Sequence, residues 1–329
     1  MERGSRGSHN LQISVGNDSP RSNTPVDQEL GESNPAQQRS QRIKEINYYP
    51  SLQIALRPKP KPQTKDDRKQ NSLLSIENPQ GLAFAEIEST IVKKMFSQKK
   101  VKEIKKEELT KENVLEHLER DNYKMLHFTG HGSHNREHPE KSYIYLGGSD
   151  DEDKNKNKNQ QLTEKEKLTA EDVSKVNLSN YLLIILSACE TGLTGKQNLD
   201  YEYVGLSSSF LQSGANSVIN SCWVVDEVAN AWLIIRFYQL YLQGERIVEA
   251  MLQAQLWLSS CGDDELVIWL QELQDKLDGN YNVRQLISDQ IKKIKKDLAQ
   301  KDSAKIKSNI PRYSHPYYWA SFTVSGGEI

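Results

Sequence analysis

Two apolar segments of the chain each lead into a stretch of small residues that carries one reactive side chain. The first reads MLHFTGHG and offers the imidazole of His131, and the second reads LLIILSACETG and offers the thiol of Cys189. An apolar run is typical of a buried strand, and a small-residue, glycine-rich end predicts a tight turn. If the two strands are neighbours in a parallel sheet, both turns open at its carboxyl edge, where open α/β sheets place their sites. The pattern therefore predicts a Cys/His dyad.

A cysteine attacks as its thiolate, so a thiol with the ordinary pKa of about 8.5 needs a base nearby at neutral pH. His131 could be that base, and its flanking glycines permit a tight turn and close approach of a substrate. The backbone N–H groups of Gly132 and Cys189 could hold an oxyanion, and one such donor is typically worth about 3 kcal/mol. The competing interpretation is structural: Cys189 is then a buried residue at a strand end, and His131 a turn residue bonded to backbone.

Four histidines follow one another at intervals of four, three and four residues: His127, His131, His134 and His138. Such spacing brings the side chains to one face only in a helix, whereas the glycines on either side of His131 interrupt this segment. His127 is instead expected to be a hydrogen-bonded strand residue, and the last two are expected to lie in a loop. No metal site is predicted, and the chemistry of the dyad needs no organic cofactor.

Four separated motifs occur in order along the chain. They are HFTGHG, LSACETG, GLSSSFLQSGANSVINSCWVVDE and HPYYWASFTVSGG. Over about residues 71–327 they resemble the CHAT domain, a relative of caspases and separases that is common in bacterial signalling proteins. The resemblance implies a caspase-like fold with His131 and Cys189 at the catalytic positions. It also implies an oxyanion hole formed by the backbone groups of Gly132 and Cys189.

Asp226 and Trp223 are the weaker candidates for a substrate site. In separase relatives, an aspartate at the position that resembles Asp226 receives the basic side chain of the cleaved residue, which implies cleavage after Lys or Arg. The other interpretation is that Asp226 caps a helix that begins near Val228, which is a common role for aspartate. Trp223 could form a wall of the substrate cleft or fill the core.

Composition divides the chain into a tail and one folded body. Residues 1–70 are rich in Ser, Asn, Gln, Pro and Arg and contain too little apolar surface to offset the entropy of ordering, so a disordered polar tail is predicted. Residues 71–329 form the predicted domain. Within it, the charged segment at about 149–167 is predicted to be a mobile loop. The charged helical pattern at about 261–309 predicts a helical insertion at the periphery.

Strand and helix patterns alternate through the predicted domain. Short strands are expected at 73–76, 124–128, 143–146, 181–187 and 217–223, with a closing strand at 315–324. The segment 181–187 is apolar throughout, as a central strand that helices cover on both faces should be. The alternation indicates an α/β fold with a caspase-like, mostly parallel central sheet flanked by helices on both faces.

The composition of the whole chain argues against several classes of protein. A formal net charge of −2 over 329 residues carries no electrostatic signature of binding to nucleic acid or to a membrane surface. No apolar run approaches the ~20 residues of a membrane helix, and the first segment, MERGSRGSHNLQISVGNDSP, lacks the apolar core of a signal peptide. Three cysteines without a CxxC spacing indicate neither a disulfide framework nor a zinc ribbon. A cytoplasmic protein with reduced thiols is expected.

These observations favour a caspase-like cysteine endopeptidase whose activity is regulated, in a bacterial signalling or defence context. Its expected partners are a polypeptide substrate and a regulatory or sensor protein acting in trans, and neither nucleic acid nor a membrane. The first alternative is a catalytically silent interaction module with the same fold. The second is a thiol-dependent transferase or redox protein, which the lack of a resolving cysteine near Cys189 disfavours.

Overall fold

The computed structural model describes residues 57, 63–78, 82–97, 100–120, 122–135, 137–147, 163–189, 204–303 and 310–327, and of Cys189 it describes the backbone only. The chain divides into two units, residues 1–46 and 47–329, of which the first lies wholly outside the described residues. All described residues belong to the second unit.

Most of the predicted tail lies outside the described residues, but its last part does not. Helix α1 (Lys65–Lys69) precedes residue 71, where the domain was predicted to begin. Its buried Arg68 donates a hydrogen bond of 2.9 Å to the carbonyl oxygen of Tyr241. Arg57 also donates to main-chain carbonyls, near the end of a later helix. The described body therefore begins before residue 71.

The sheet consists of strands that match most of the predicted ones. They are β1 (Leu73–Glu77), β2 (Val101–Ile104), β3 (Met125–Ser133), β4 (Tyr143–Tyr145), β5 (Lys167–Thr169), β6 (Leu183–Cys189), β7 (Ser217–Ser221) and β8 (Phe322–Gly326). Their order is β2-β1-β3-β6-β7-β8, with β4 beside β3 and β5 beside β4. The first five strands in this order are parallel, whereas β8 is antiparallel to β7.

Helices cover both faces of this sheet. They are α2 (Ala83–Met95), α3 (Lys111–Arg120), α4 (Ala170–Val173), α5 (Val204–Gln212), α6 (Glu227–Gln243), α7 (Ile247–Ser260), α8 (Asp263–Asp275), α9 (Tyr281–Ser303) and α10 (Pro316–Trp319). Buried residues of α2 and α6 belong to the apolar cluster on one face, and those of α3, α4 and α5 belong to the cluster on the other. The predicted fold class, a mostly parallel sheet between helices, is confirmed.

Strand β6 shows why a central strand is apolar at every position. Leu183 and Ile185 pack in the cluster under α2 and α6, while Ile184 and Leu186 pack in the opposite cluster. All four are buried. Because consecutive side chains of a strand point to opposite faces, only a strand covered on both sides buries all of them. Each such side chain contributes about 1.5–3 kcal/mol on full burial.

The predicted insertion is a pair of helices, α8 and α9, that is less peripheral than its charge suggests. Buried residues of both helices belong to the same apolar cluster as α6. The rings of Trp269 in α8 and Trp232 in α6 meet edge to face with centroids 5.7 Å apart. The charged residues occupy the exposed faces of two amphipathic helices. The high charge of the segment therefore does not exclude an apolar stripe that packs on the core.

Two local predictions need correction, and a further one falls largely outside the described residues. The His131 segment is not a tight turn, because β3 continues through it to Ser133. The predicted mobile loop is described only from residue 163, where a 3-10 turn (Glu164–Glu166) leads into β5; residues 148–162 lie outside the described residues. The closing strand does not begin at His315, which is the N-cap of α10. Pro316 at the first turn favours this short helix, since its fixed φ suits that position.

Within the described ranges, the helices include none that combines the length and the apolar character needed to cross a membrane.

Candidate active site

Strands β3 and β6 bring the two reactive positions together. They pair in parallel from Met125 opposite Leu183 to His131 opposite Cys189. Neighbouring strands lie about 4.8 Å apart, so the backbones of His131 and Cys189 are adjacent at the carboxyl edge of the sheet. The predicted neighbourhood of the two strands is therefore correct. The side chain of Cys189 and residues 190–203 lie outside the described residues.

The position of His131 depends on the glycine before it. Gly130 has a φ of +155°, and a Cβ there would lie 2.8 Å from the carbonyl oxygen of Asn78. Asn78 holds this contact because its N–H donates to the carbonyl of Thr129 at 2.9 Å and its side-chain amide donates to the carbonyl of Tyr145 at 2.9 Å. The close approach of β1 thus requires glycine at 130. His131 itself is 7% exposed.

Gly132, the predicted oxyanion donor, lies in a strand and not in a turn. It pairs with Ile144 of β4, in the antiparallel part of β3. In an antiparallel pair the N–H groups alternate between pointing toward the partner strand and away from it. Gly132 can donate to an oxyanion only if its N–H points away from β4.

The end of β6 is held by β7, where the hydroxyl of Ser221 donates to the carbonyl of Ala188 at 2.9 Å.

The two acidic residues after β7 each occupy a helix N-terminus. Asp226 is the N-cap of α6, and its Oδ1 accepts a hydrogen bond of 2.9 Å from the N–H of Ala229. Glu227 accepts a hydrogen bond of 2.6 Å from the N–H of Phe84 in the first turn of α2. Carboxylates are favoured there because they complement the unpaired N–H groups and the helix dipole. The capping interpretation of Asp226 therefore describes its contact in the structure.

Trp223 stands at the same edge among aromatic residues that sequence reasoning did not assign to a site. Its Nε1 donates to the carbonyl of Tyr317 at 3.1 Å. The ring of Tyr318 contacts those of Tyr317 and Tyr313, with centroids 5.4 Å apart in both pairs. These residues lie in or before α10. Since β8 begins opposite Ser221, the residues that precede β8 reach the carboxyl end of β7.

A buried polar cluster lies on the face of the sheet that carries His131. Glu88 of α2 places Oε1 3.2 Å from Nε2 of His127, and Nδ1 of that ring lies 3.2 Å from the hydroxyl of Tyr238. The side-chain amide of Asn230 donates to Oε2 of Glu88 at 3.0 Å and to the hydroxyl of Ser187 at 2.8 Å. All five side chains are at most 5% exposed. We call Glu88, His127, Ser187, Asn230 and Tyr238 the polar core.

Electrostatics inside the polar core follow from burial. Loss of water raises the pKa of Glu88 above its usual value, and this effect outweighs the hydrogen bonds and charge from His127 and the hydroxyl of Ser187, which act in the opposite direction. Burial also raises the pKa of Tyr238 well above its usual range, with a further contribution from the charge of Glu88. His127 is a hydrogen-bonded strand residue, as predicted. The polar side chains of Glu88 and Asn230 on apolar stripes of α2 and α6 are the signals in the sequence that could have indicated this cluster.

The histidines do not gather around a common point. His134 contacts the hydroxyl of Ser142 through Nδ1 at 3.2 Å, and the half-exposed His138 pairs with Glu140 at 3.2 Å. In the part of the chain that the structure describes, no three His, Cys, Asp or Glu side chains are grouped as metal ligands would be.

Comparisons with known proteins give one family and two structural likenesses. The family model described as "CHAT domain" matches residues 19–327. The crystal structure of the Arg-specific cysteine proteinase gingipain R (RgpB) aligns with a TM-score of 0.35 at 13% identity, over 58% of this chain and 43% of that chain. The complex of Porphyromonas gingivalis RgpB pro- and mature domains aligns with a TM-score of 0.35 at 12% identity, over 58% and 44%. The chain thus spans less than half of either structure. No curated protein matches it.

Proposed function

We propose, from the premise that the chain belongs to the CHAT domain family, that it is a cysteine endopeptidase with Cys189 as nucleophile and His131 as general base. The single observation that carries the proposal is the strand register, which sets His131 opposite Cys189 at the carboxyl edge of the sheet. The proposal requires the imidazole and the thiol, which belong to adjacent backbone positions, to come within hydrogen-bond reach of each other.

The proposed reaction uses groups of this chain alone. His131 takes the proton of the Cys189 thiol, and the sulfur attacks the carbonyl carbon of the peptide. The backbone N–H groups of Gly132 and Cys189 hold the oxyanion. His131 then gives its proton to the leaving amine, and a thioester with the amino-terminal part of the substrate remains. Water, activated by the same imidazole, hydrolyses this thioester and restores the thiol.

Substrate recognition is assigned to the residues that follow β7. The ring of Trp223, supported by the carbonyl of Tyr317, would form a wall of the cleft. A preference for Lys or Arg before the scissile bond would rest on Asp226, whose Oδ1 already caps α6. The second carboxylate oxygen of Asp226 would then be the one that receives the basic side chain. Regulation by a protein acting in trans and a role in bacterial signalling or defence complete the proposal, on the basis of the family resemblance.

Covalent labelling tests the proposal directly. A peptide-based electrophile that mimics the acyl group should modify Cys189 in the wild type and leave Cys189→Ala unmodified. His131→Gln should slow both labelling and cleavage of a peptide library by about 100-fold or more, because general-base catalysis contributes 10²–10⁴. Cys222→Ala is the matched control, since this half-buried thiol contacts Thr323 and has no role in the mechanism. Equal labelling of wild type and His131→Gln would contradict the proposal.

One observation favours the alternative of a silent interaction module. His131 is only 7% exposed, and a general base must reach its substrate. A folded wild-type protein that neither reacts with the electrophile nor cleaves any library member, and that still binds a polypeptide partner, would support the module.

A further inference from the structure

The polar core lies directly below the candidate dyad on one face of the sheet. Every second residue of β3 belongs to this face, namely residues 127, 129 and 131. Their partners in β6 are residues 185, 187 and 189. Thr129 and Ser187 therefore form the first pair below His131 and Cys189, and His127 is in the second pair. Below that, Met125 and Leu183 are apolar. Within these two strands, the polar residues on this face below the reacting groups are thus confined to the two nearest levels.

Within the polar core, Glu88 links both strands of the dyad. On the strand of His131 it contacts His127. On the strand of Cys189 its partner is the hydroxyl of Ser187, to which Asn230 also connects it. Two helices complete the arrangement, since Glu88 belongs to α2 and Asn230 to the first turn of α6. Burial of such a polar group lowers the stability of the fold by several kcal/mol unless its partners are well placed. Its position beside a candidate site therefore indicates a functional role.

The groups around Glu88 are donors. If the hydroxyl of Tyr238 donates to Nδ1 of His127, the imidazole proton lies on Nε2, the atom that is 3.2 Å from the carboxylate. Asn230 offers its N–H₂ group, and the opposite orientation of this amide would set two acceptor oxygens against each other. An ionised carboxylate accepts only, so the amide donor of Asn230 fits an anion; Nε2 of His127 lies 3.2 Å from Oε1 without forming an aligned hydrogen bond.

We propose that Glu88 is a positioning residue for the candidate dyad: as a buried carboxylate it ties the strand of His131 to the strand of Cys189 and sets one negative charge below the pair. The inference rests on the proposed function, because it assumes that the dyad is the reacting pair. Glu88 touches neither the substrate nor the reacting atoms.

The charge of Glu88 disfavours a second negative charge, the thiolate of Cys189, in its vicinity. The backbones of His131 and Cys189 lie one to two strand pairs above the groups that Glu88 contacts, which corresponds to about 10 Å from its carboxylate. At that distance one negative charge raises a neighbouring pKa by roughly 0.5 to 1 pH unit when the effective dielectric constant is 20–40. The other titratable groups that face Glu88 are His127 from β3, Tyr238 from α6 and Glu77 from β1, the last with Lys93 at 3.6 Å.

Glu88→Gln removes this charge and keeps the shape of the side chain. The experiment measures the rate at which iodoacetamide alkylates Cys189 from pH 5 to 10, followed by mass spectrometry of the peptide that contains it. We expect the midpoint of this profile to fall by roughly 0.5 to 1 pH unit in Glu88→Gln, because the thiolate no longer forms near a negative charge. Glu86→Gln is the matched control on the same helix, outside the polar core, and should leave the midpoint unchanged.

A lower alkylation rate or a less stable protein with an unmoved midpoint would show a purely structural role and overturn the proposal. Alkylation does not require peptide cleavage, so a failure of the peptidase proposal is visible separately. If Glu88→Gln does not fold, carboxyl ¹³C resonances of wild-type protein decide the matter, with Glu88→Asp identifying the signal that belongs to Glu88. A Glu88 carboxyl that remains protonated at pH 8 would contradict the proposal.

Discussion

At the scale of the residue, Gly130 determines where His131 lies. The backbone of Asn78 approaches so closely that any side chain at 130 would collide with its carbonyl oxygen, and the φ of +155° is itself unfavourable for other residues. The pattern GHG therefore has a different cause from the one the sequence indicated. Its first glycine permits contact between two strands, and the segment stays extended instead of turning.

Gly130→Ser should reduce the free energy of unfolding by about 2–3 kcal/mol, because neither the backbone nor Asn78 can yield without cost. Urea denaturation measures this loss. Gly262→Ser is the matched control, since a Cβ at this N-cap of α8 meets nothing within 4 Å and serine is a good N-cap. Similar losses in the two variants would show that crowding at position 130 is not the cause.

At the scale of the element, Asp226 has two candidate roles, the N-cap of α6 and the recognition of Lys or Arg, and substitutions can separate them. Asparagine is as good an N-cap as aspartate but carries no charge, whereas alanine offers no cap. The structure describes the cap, through the contact with the N–H of Ala229. A role in recognition of Lys or Arg would need the charge as well.

We expect Asp226→Asn to retain stability within about 0.5 kcal/mol and Asp226→Ala to lose about 1 kcal/mol, measured as the free energy of unfolding in urea. In the proposed function, Asp226→Asn should also lose at least tenfold in kcat/KM for peptides with Lys or Arg before the scissile bond, relative to peptides with a neutral residue there. An unchanged ratio would leave Asp226 with the cap alone.

At the scale of the whole molecule, contacts along one strand pair were predictable, and contacts between distant elements were not. The apolar runs that end at His131 and Cys189 predict buried strands, and their pairing in register is observed. The polar core was not predicted, because Glu88 and Asn230 meet only after two helices pack on one face. The extent of the insertion's burial was also missed, since an amphipathic pattern shows an apolar face without showing what covers it.

Arg312 shows how such distant elements are joined. Its guanidinium contacts Asp263 at the start of α8 at 3.0 Å and Asp297 in α9 at 2.9 Å. The side chain of Asp263 is only 5% exposed, and the guanidinium pairs with it there. Residue 312 lies just before α10, whose Tyr317 supports Trp223 at the carboxyl edge. The insertion is therefore tied to the segment that carries part of the candidate substrate site.

Arg312→Gln should lower the free energy of unfolding by about 2–3 kcal/mol, because it removes a cation that is paired with the buried carboxylate of Asp263. Lys292→Gln is the matched control: it breaks an ion pair with Asp289 on α9 in which the side chains are 67% and 55% exposed, and such pairs contribute little. Urea denaturation of both variants makes the comparison. In Arg312→Gln/Asp263→Asn the loss should be smaller than in Arg312→Gln alone, since the second change removes the buried charge. Losses that simply add would show that the guanidinium stabilises the protein through packing and not through Asp263.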